Sequence, residues 1–211
     1  MGINRYRSYE YTLSNGKKIH IVKNLDISQY KALWYITSLE RVTVYGNFIG
    51  NPTSIANFTN LELIFGSTAS DEKIIDFAGK SFNFANVKFV GGGTAGTGSF
   101  KLANTMNNAA LVSSSIYFTG GTFNANNFDV IGQVINVSSS NARTLIMGNG
   151  EWRTVTTSPG ATAWDCTNSS NLTIVANSAT INISTPINYT SQDTFNVIFS
   201  GGNTSWPTLK N

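Results

Sequence analysis

Residues 87–98, VKFVGGGTAGTG, decide between two very different folds. Gly91, Gly93 and Gly96 satisfy G-x-G-x-x-G directly after an apolar, strand-like run. A dinucleotide site needs such glycines for a tight turn, then a helix whose N-terminus faces the pyrophosphate and an acidic residue about 20 positions on. Here Gly98 is followed by SFKLANTMNN, which has no capping box and is rich in Asn, and the next carboxylate is Asp129. The nucleotide reading therefore fails on context. What remains is a strand that ends in a glycine-rich turn.

That unit recurs. Short apolar runs followed by Gly, Ser or Asn occur as LELIFGS from Leu61, VKFVGGG from Val87, IYFTGGT from Ile116, LIMGNG from Leu145, LTIVANS from Leu172 and VIFSGGN from Val197. Taken as equivalent positions, Leu63, Phe89, Phe118, Met147, Ile174 and Phe199 recur at a near-constant spacing that falls in the range of solenoid repeats. Each unit continues with a small-residue turn and a second apolar pair, such as Phe100/Leu102, Trp152/Val155, Ile181/Ile183 and Trp206/Leu209. Alternation at period two in Phe82-x-Phe84, Phe128-x-Val130 and Ile135-x-Val137 marks strands with one inward face. The expected fold is all-β: a parallel β-helix, or β-solenoid, with coils of roughly 25–29 residues and three short strands in each. A β-sandwich is the alternative, but its strands would recur every about 8–12 residues without the longer period.

Composition agrees with strands and turns. Charged residues are 12% of the chain, about half the usual share of roughly 25%. Hydrophobic residues reach 41%, and polarity is carried by Asn, Ser, Thr and Gly, which suit exposed strands and turns better than helices. The net charge of +3 is too small to argue nucleic-acid binding, although seven of the fourteen Lys and Arg fall between Arg5 and Arg41. Cys166 is the only cysteine and His20 the only histidine, which excludes an intramolecular disulfide and a Cys/His zinc site. No cofactor is expected. No signal peptide or run of about 20 apolar residues is present, and Tyr6 stands where an acylation signal after Met1-Gly2 needs Ser or Thr, so a soluble chain is expected.

Two domains are expected, 1–38 and 39–211. Segment 39–61 holds one leucine-rich-repeat-like unit, L-x-x-V-x-V-x-x-N-x-I followed by Pro52 and Asn60-Leu61, but the frame is lost after Gly66 and the unit reads as one coil of the same solenoid. Before it, segment 26–36 predicts a short helix with Asp26 or Ser28 as N-cap and Tyr30, Leu33 and Trp34 on one face. Residues 1–38 then form a basic cap or attachment segment over the first coil, whose strands need covering. The sequence beyond Trp206 is very short for a cap, so the last coil is expected to be covered by another subunit, or the chain to be a section of a longer polypeptide.

Candidate chemistry is sparse. Glycoside cleavage needs paired carboxylates, for which Glu151 and Asp165 are the best candidates. A serine nucleophile would have only His20 as partner, and no G-x-S-x-G elbow is present. Sugar stacking would draw on Tyr117, Trp152 and Trp164, with Asp165 beside the last. Trp152 occupies a repeat position shared with Phe123 and Ile181 and so reads as core, whereas Trp164 lies in a polar stretch and reads as exposed. Seven N-x-S/T triplets, beginning at Asn57, Asn136, Asn168, Asn171, Asn182, Asn188 and Asn203, follow from the abundance of these residues; Asn and Thr at equivalent positions would instead form ladders between turns.

The elements Thr122-Phe-Asn124, Arg143-Thr-Leu145-x-Met147-Gly148-x-Gly150-x-Trp152, Ala163-Trp164, Asn171-Leu-Thr173 and Phe199-Ser-Gly-Gly202 resemble the Asn/Ser/Thr-rich repeats of bacteriophage tail-fibre-like virion structural proteins, over residues 116–206. The resemblance implies a non-enzymatic, surface-exposed virion component. It would be oligomeric, with a trimer favoured, and in contact with a host-surface glycan; residues 1–38, which the resemblance does not cover, are expected from their basic character to bind other virion proteins. A carbohydrate-active β-helix enzyme is the second expectation, and a leucine-rich-repeat-like bacterial binding protein the third. Neither nucleic acid nor membrane insertion is expected.

Overall fold

The computed structural model describes residues 8–12, 18–27, 40–50, 60–109, 114–155, 161–183, 196–199 and 208–210. These are all-β, with a single 3-10 turn at Gly93–Ala95 and no α-helix among them. After β1 (Ser8–Thr12), the chain runs through β2 (Lys18–Val22) and β3 (Leu25–Asp26), β4 (Glu40–Val44) and β5 (Phe48–Ile49), then β6 (Leu61–Phe65) and β7 (Glu72–Asp76). From there strands come in threes: β8 (Asn86–Phe89), β9 (Ser99–Leu102) and β10 (Met106–Asn108), then β11 (Ser115–Phe118), β12 (Gly121–Asn124) and β13 (Val130–Gly132). β14 (Val134–Asn136), β15 (Arg143–Ile146) and β16 (Glu151–Thr154) follow, then β17 (Thr162–Cys166), β18 (Leu172–Val175) and β19 (Thr180–Ile183), and finally β20 (Asn196–Phe199) and β21 (Thr208–Lys210).

They form three sheets. Sheet A has the order β1-β2-β4-β6-β8-β11-β14-β17-β20, sheet B β3-β5-β7-β9-β12-β15-β18, and sheet C β10-β13-β16-β19-β21. From β8 to β19 the chain visits A, B and C in that order four times. Every pairing is parallel except β1 with β2, a hairpin partner at the edge of sheet A. β2 pairs directly with β4 and β3 with β5, so both sheets run across position 38 without a break.

Parallel pairing in register puts like side chains on top of one another. In sheet A, Val44, Phe65, Phe89 and Phe118 form one inward column, and Leu63, Val87, Ile116, Ile135 and Trp164 another. Strands lie about 4.8 Å apart. The rings follow: Phe65 and Phe89 stack at 4.8 Å and 19°, Phe89 and Phe118 at 5.2 Å and 9°. Across the interior, Phe118 meets Phe123 of sheet B at 4.6 Å and Trp152 of sheet C at 5.4 Å, and Trp152 meets Trp164 at 6.2 Å. All these residues are at most 2% exposed, and the one core takes in side chains from all three sheets. The Trp152 indole donates to the Met147 carbonyl at 3.2 Å, so its polar edge is satisfied inside.

Corners between sheets explain the Gly and Asn. On passing from B to C the backbone enters the left-handed region at Ala78 and Gly79, Asn126 and Asn127, Gly148, and Asn177, a conformation that Gly and Asn tolerate best. Asn side chains then bridge successive passes of the chain: Asn104 Oδ1 accepts from Phe77 N at 3.0 Å, Asn127 Oδ1 from Asn149 N at 3.1 Å, and Asn126 Nδ2 donates to Leu102 O at 3.1 Å. These bonds run between side chain and backbone, while others, such as Asn104 Nδ2 to Asp76 Oδ1 and Ser178 Oγ to Asn149 Oδ1, join side chains of successive passes. Asn108, 1% exposed, substitutes for a missing strand partner by accepting from Phe84 N at 2.9 Å and donating to Phe84 O at 3.3 Å.

Residues 90–98, which follow β8, form a corner between A and B. A Cβ on Gly98 would lie 2.0 Å from Ser67 O, and one on Gly96, at φ 59°, would lie 2.2 Å from Ala142 O. A Cβ on Gly91 would collide with Gly120 and Gly121, both at 2.8 Å. The glycines of this turn thus let the chain's own neighbouring corners approach it closely.

The same corner line holds Arg143, 3% exposed. Its Nε donates to Val137 O at 2.7 Å, Nη1 to Asn141 O at 3.0 Å and Ser170 O at 2.8 Å, and Nη2 to Asn168 O at 2.5 Å. One guanidinium ties the corner at 137–142 to the next at 168–171. Burial lowers its pKa from the ordinary arginine value.

Two expectations need correction. The repeat is not uniform: the register partners along sheet A are Val42, Leu63, Val87, Ile116, Ile135, Trp164 and Val197, so the pass from Ile116 to Ile135 is the shortest of these and that from Trp164 to Val197 the longest. Counting at a constant interval across the short pass slips from one sheet to another. Ile174 lies in sheet B and Met147 directly follows β15 of sheet B, whereas Leu63, Phe89, Phe118 and Phe199 lie in sheet A. The helix expected over 26–36 does not begin at Asp26, since Leu25 and Asp26 pair with Phe48 and Ile49, and Ile27 N continues to Ile49 O at 2.9 Å. Ser28 and the rest of that segment lie outside the described residues, as do Pro52 and the turn of the leucine-rich-like unit, Trp206, and Asn57, Asn188 and Asn203.

Phe89→Ala removes a ring that touches four others and is expected to cost about 3–5 kcal/mol in guanidinium denaturation, whereas Val175→Ala at an exposed position should stay within about 0.5 kcal/mol. Arg143→Met keeps the bulk but strands the four carbonyls that the guanidinium serves; a loss of about 3 kcal/mol or more in the same assay is expected.

Candidate functional site

The interior is filled by the common core, which leaves the outward faces to carry a functional site. Along sheet A two outward columns follow from the register: Arg41, Glu62, Asn86 and Ser115 in one, and Thr43, Ile64, Lys88, Tyr117, Asn136 and Asp165 in the other. This face gathers two of the four residues singled out for glycan contact, Tyr117 and Asp165, with Asn136 of β14 between them.

Glu62 is its electrostatic centre. Its side chain is 7% exposed although it points outward, because Arg41 and Lys88 on the flanking strands close over it. Arg41 Nε donates to Oε2 at 2.6 Å and the Lys88 ammonium donates to Oε1. Burial pushes the Glu62 carboxyl up, but hydrogen bonds and charge from Lys88 and Arg41 together outweigh it and hold the pKa below the ordinary 4.5. Lys88 also sits 5.2 Å from the centre of the half-buried Tyr117 ring, a cation–π contact. Further along, Asn136 Nδ2 donates to Asp165 Oδ2 at 2.8 Å, and Asp165 Oδ1 accepts from Thr167 N at 2.9 Å and Thr167 Oγ1 at 2.7 Å.

The remaining candidates fall elsewhere. Trp152 and Trp164 are fully buried, in sheets C and A. For Trp164 this corrects the expected exposure: it shares the inward parity of Cys166, with Asp165 outward between them, and an irregularity between Thr162 and Trp164 lets Ala163 turn inward as well. The polar neighbours of Trp164 suggested solvent; the W-x-C alternation was the signal for the core. Glu151 lies on sheet C, where it accepts from Asn182 Nδ2 at 2.7 Å, so it and Asp165 occupy different sheets and each is held by an Asn one strand away. Among the described residues no three His, Cys, Asp or Glu side chains converge as a metal site. Glu62, Arg41 and Lys88 were not among the sequence candidates, because residues a whole pass apart carry no local pattern that joins them.

Comparison of the chain with protein-family models, curated proteins and solved structures finds no match.

Since the folded pKa of Glu62 is depressed, its contribution to stability is present above the unfolded value of 4.5 and is lost as pH falls through the folded value. Glu62→Gln should therefore unfold at lower denaturant than the parent at pH 7, and the gap between the two should narrow on acidification from about pH 5 to about pH 3. A gap independent of pH would contradict the arrangement.

Proposed function

We propose that the three sheets are the faces of a parallel β-helix and that the chain is a non-enzymatic structural arm of a bacteriophage virion, of fibre or surface-decoration type. The observation that carries the rigid-arm role is the unbroken inward stack from Val44 through Phe65, Phe89 and Phe118, joined to Trp152 and Trp164. Such a core ties each pass of the chain to the next and resists bending, as solenoid stacking does. The virion setting rests on the resemblance of the repeats over 116–206. In this reading residues 1–38 contact other virion proteins, the chain assembles with copies of itself, a trimer being favoured, and the exposed faces meet a host-surface glycan.

The outward carboxylates favour structure over cleavage. Glu62 is closed in by two cations, while Asp165 and Glu151 each accept from an Asn on the adjacent strand and stand on different sheets. A glycosidase would bring two such groups to within about 5–10 Å of one another across a scissile bond.

Light scattering on the purified protein and incubation with capsular polysaccharides test the proposal together. A stable trimer that releases no reducing ends or unsaturated uronates is expected. A monomer that releases them, and stops doing so in Glu151→Gln, would replace it with a depolymerase.

A further inference from the structure

We infer that the outer face of sheet A between β4 and β11 binds an acidic polysaccharide, with Arg41 and Lys88 meeting its carboxylates and Tyr117 packing against a sugar ring. This rests on the adhesion reading and deepens it by naming the ligand class; it concerns binding by the isolated protein and does not depend on where in a virion the chain sits.

Charge complementarity selects this ligand. Arg41, Glu62 and Lys88 carry one net positive charge, but they do not face solvent equally: the side chains are 50%, 7% and 30% exposed. The anion is hidden and the cations are presented. Arg41 and Lys88 lie on strands β4 and β8, which flank β6, so they stand about 10 Å apart along the direction in which strands stack. Among the described residues only the Nε of Arg41 is engaged, which leaves the two Nη groups, the paired donors that match a carboxylate. Lys88 uses one of its three donors on Glu62.

Beside Lys88 in the same column stands Tyr117, whose ring offers a flat apolar surface next to a cation. Thr43, Asn86 and Ser115 add outward positions with neutral groups that hydrogen-bond hydroxyls. Sparse positive charge, neutral polar groups and a ring fit a hydroxyl-rich chain with spaced carboxylates. Nucleic acid presents a much denser line of charge and is held by many cations at once. The strip ends at Asp165, whose charge disfavours an acidic ligand and sets the boundary beyond β14.

Affinity electrophoresis and titration calorimetry of the full chain with polygalacturonate test the inference, with dextran, polyglutamate and duplex DNA as comparisons. Polygalacturonate should bind, weaken with added salt, and exceed the other three. Tyr117→Ala and Arg41→Gln should each weaken it about tenfold or more, one lost contact of roughly 1.4 kcal/mol, with the thermal midpoint measured alongside to show that each variant is folded. Lys80→Gln, at an exposed lysine between sheets B and C, should bind as the parent does. Absence of polygalacturonate binding, equal binding of dextran, equal or stronger binding of polyglutamate or DNA, or unchanged binding in both folded variants would each overturn it.

Discussion

In-register parallel pairing holds every inward side chain directly against its counterpart one strand away, and the rest of the molecule adjusts to that constraint. With strands about 4.8 Å apart, like residues must stack; Phe65, Phe89 and Phe118 do so nearly ring on ring. Aromatic residues suit such columns because a flat ring tolerates a copy of itself at this spacing. Interior volume is then set by what faces the column from the other sheets, and Phe123 and Trp152 fill it together with Trp164 of the neighbouring sheet A column.

Corners carry the cost of keeping register while the length of a pass varies. The short pass from Ile116 to Ile135 and the longer one from Ile135 to Trp164 must both return to the same register, so extra length is absorbed between sheets C and A and, to a lesser degree, in the loops between sheets A and B. Glycine at 91, 96 and 98 allows these loops to lie backbone against backbone, and Arg143 collects carbonyls that loops of this kind leave without strand partners. Between B and C the corners are shorter and Asn dominates, combining left-handed dihedrals with bonds to the adjacent pass.

The outward faces are built by the same rule with polar residues. Register alone places Arg41, Glu62 and Lys88 across three strands, and the resulting ion triad buries its carboxylate under two longer cations. Isolated surface ion pairs contribute little; this one is distinguished by the burial of its centre and by the Tyr117 ring beside it. Function on such a scaffold resides in strips of side chains that run across strands.

The all-β class was legible from the alternation in segments such as Ile135-x-Val137 and from the recurrent Gly- and Asn-bearing turns, because a period of two and a turn signal are local properties of a chain. Trp152 as a core residue was legible for the same reason. Register was not. Passes of unequal length made Met147 and Ile174 look equivalent to Phe118 when they belong with another sheet, and an irregularity in β17 hid the inward direction of Trp164. Tyr117 and Asp165 stand out singly in the sequence, but their shared face, and the triad of Arg41, Glu62 and Lys88, depend on which strands lie side by side. The sequence by itself determined the kind of element and the two sides of each strand. Only the tertiary structure decided which residues become neighbours, since pairing between segments a whole pass apart is set by packing of the common core and leaves no local trace.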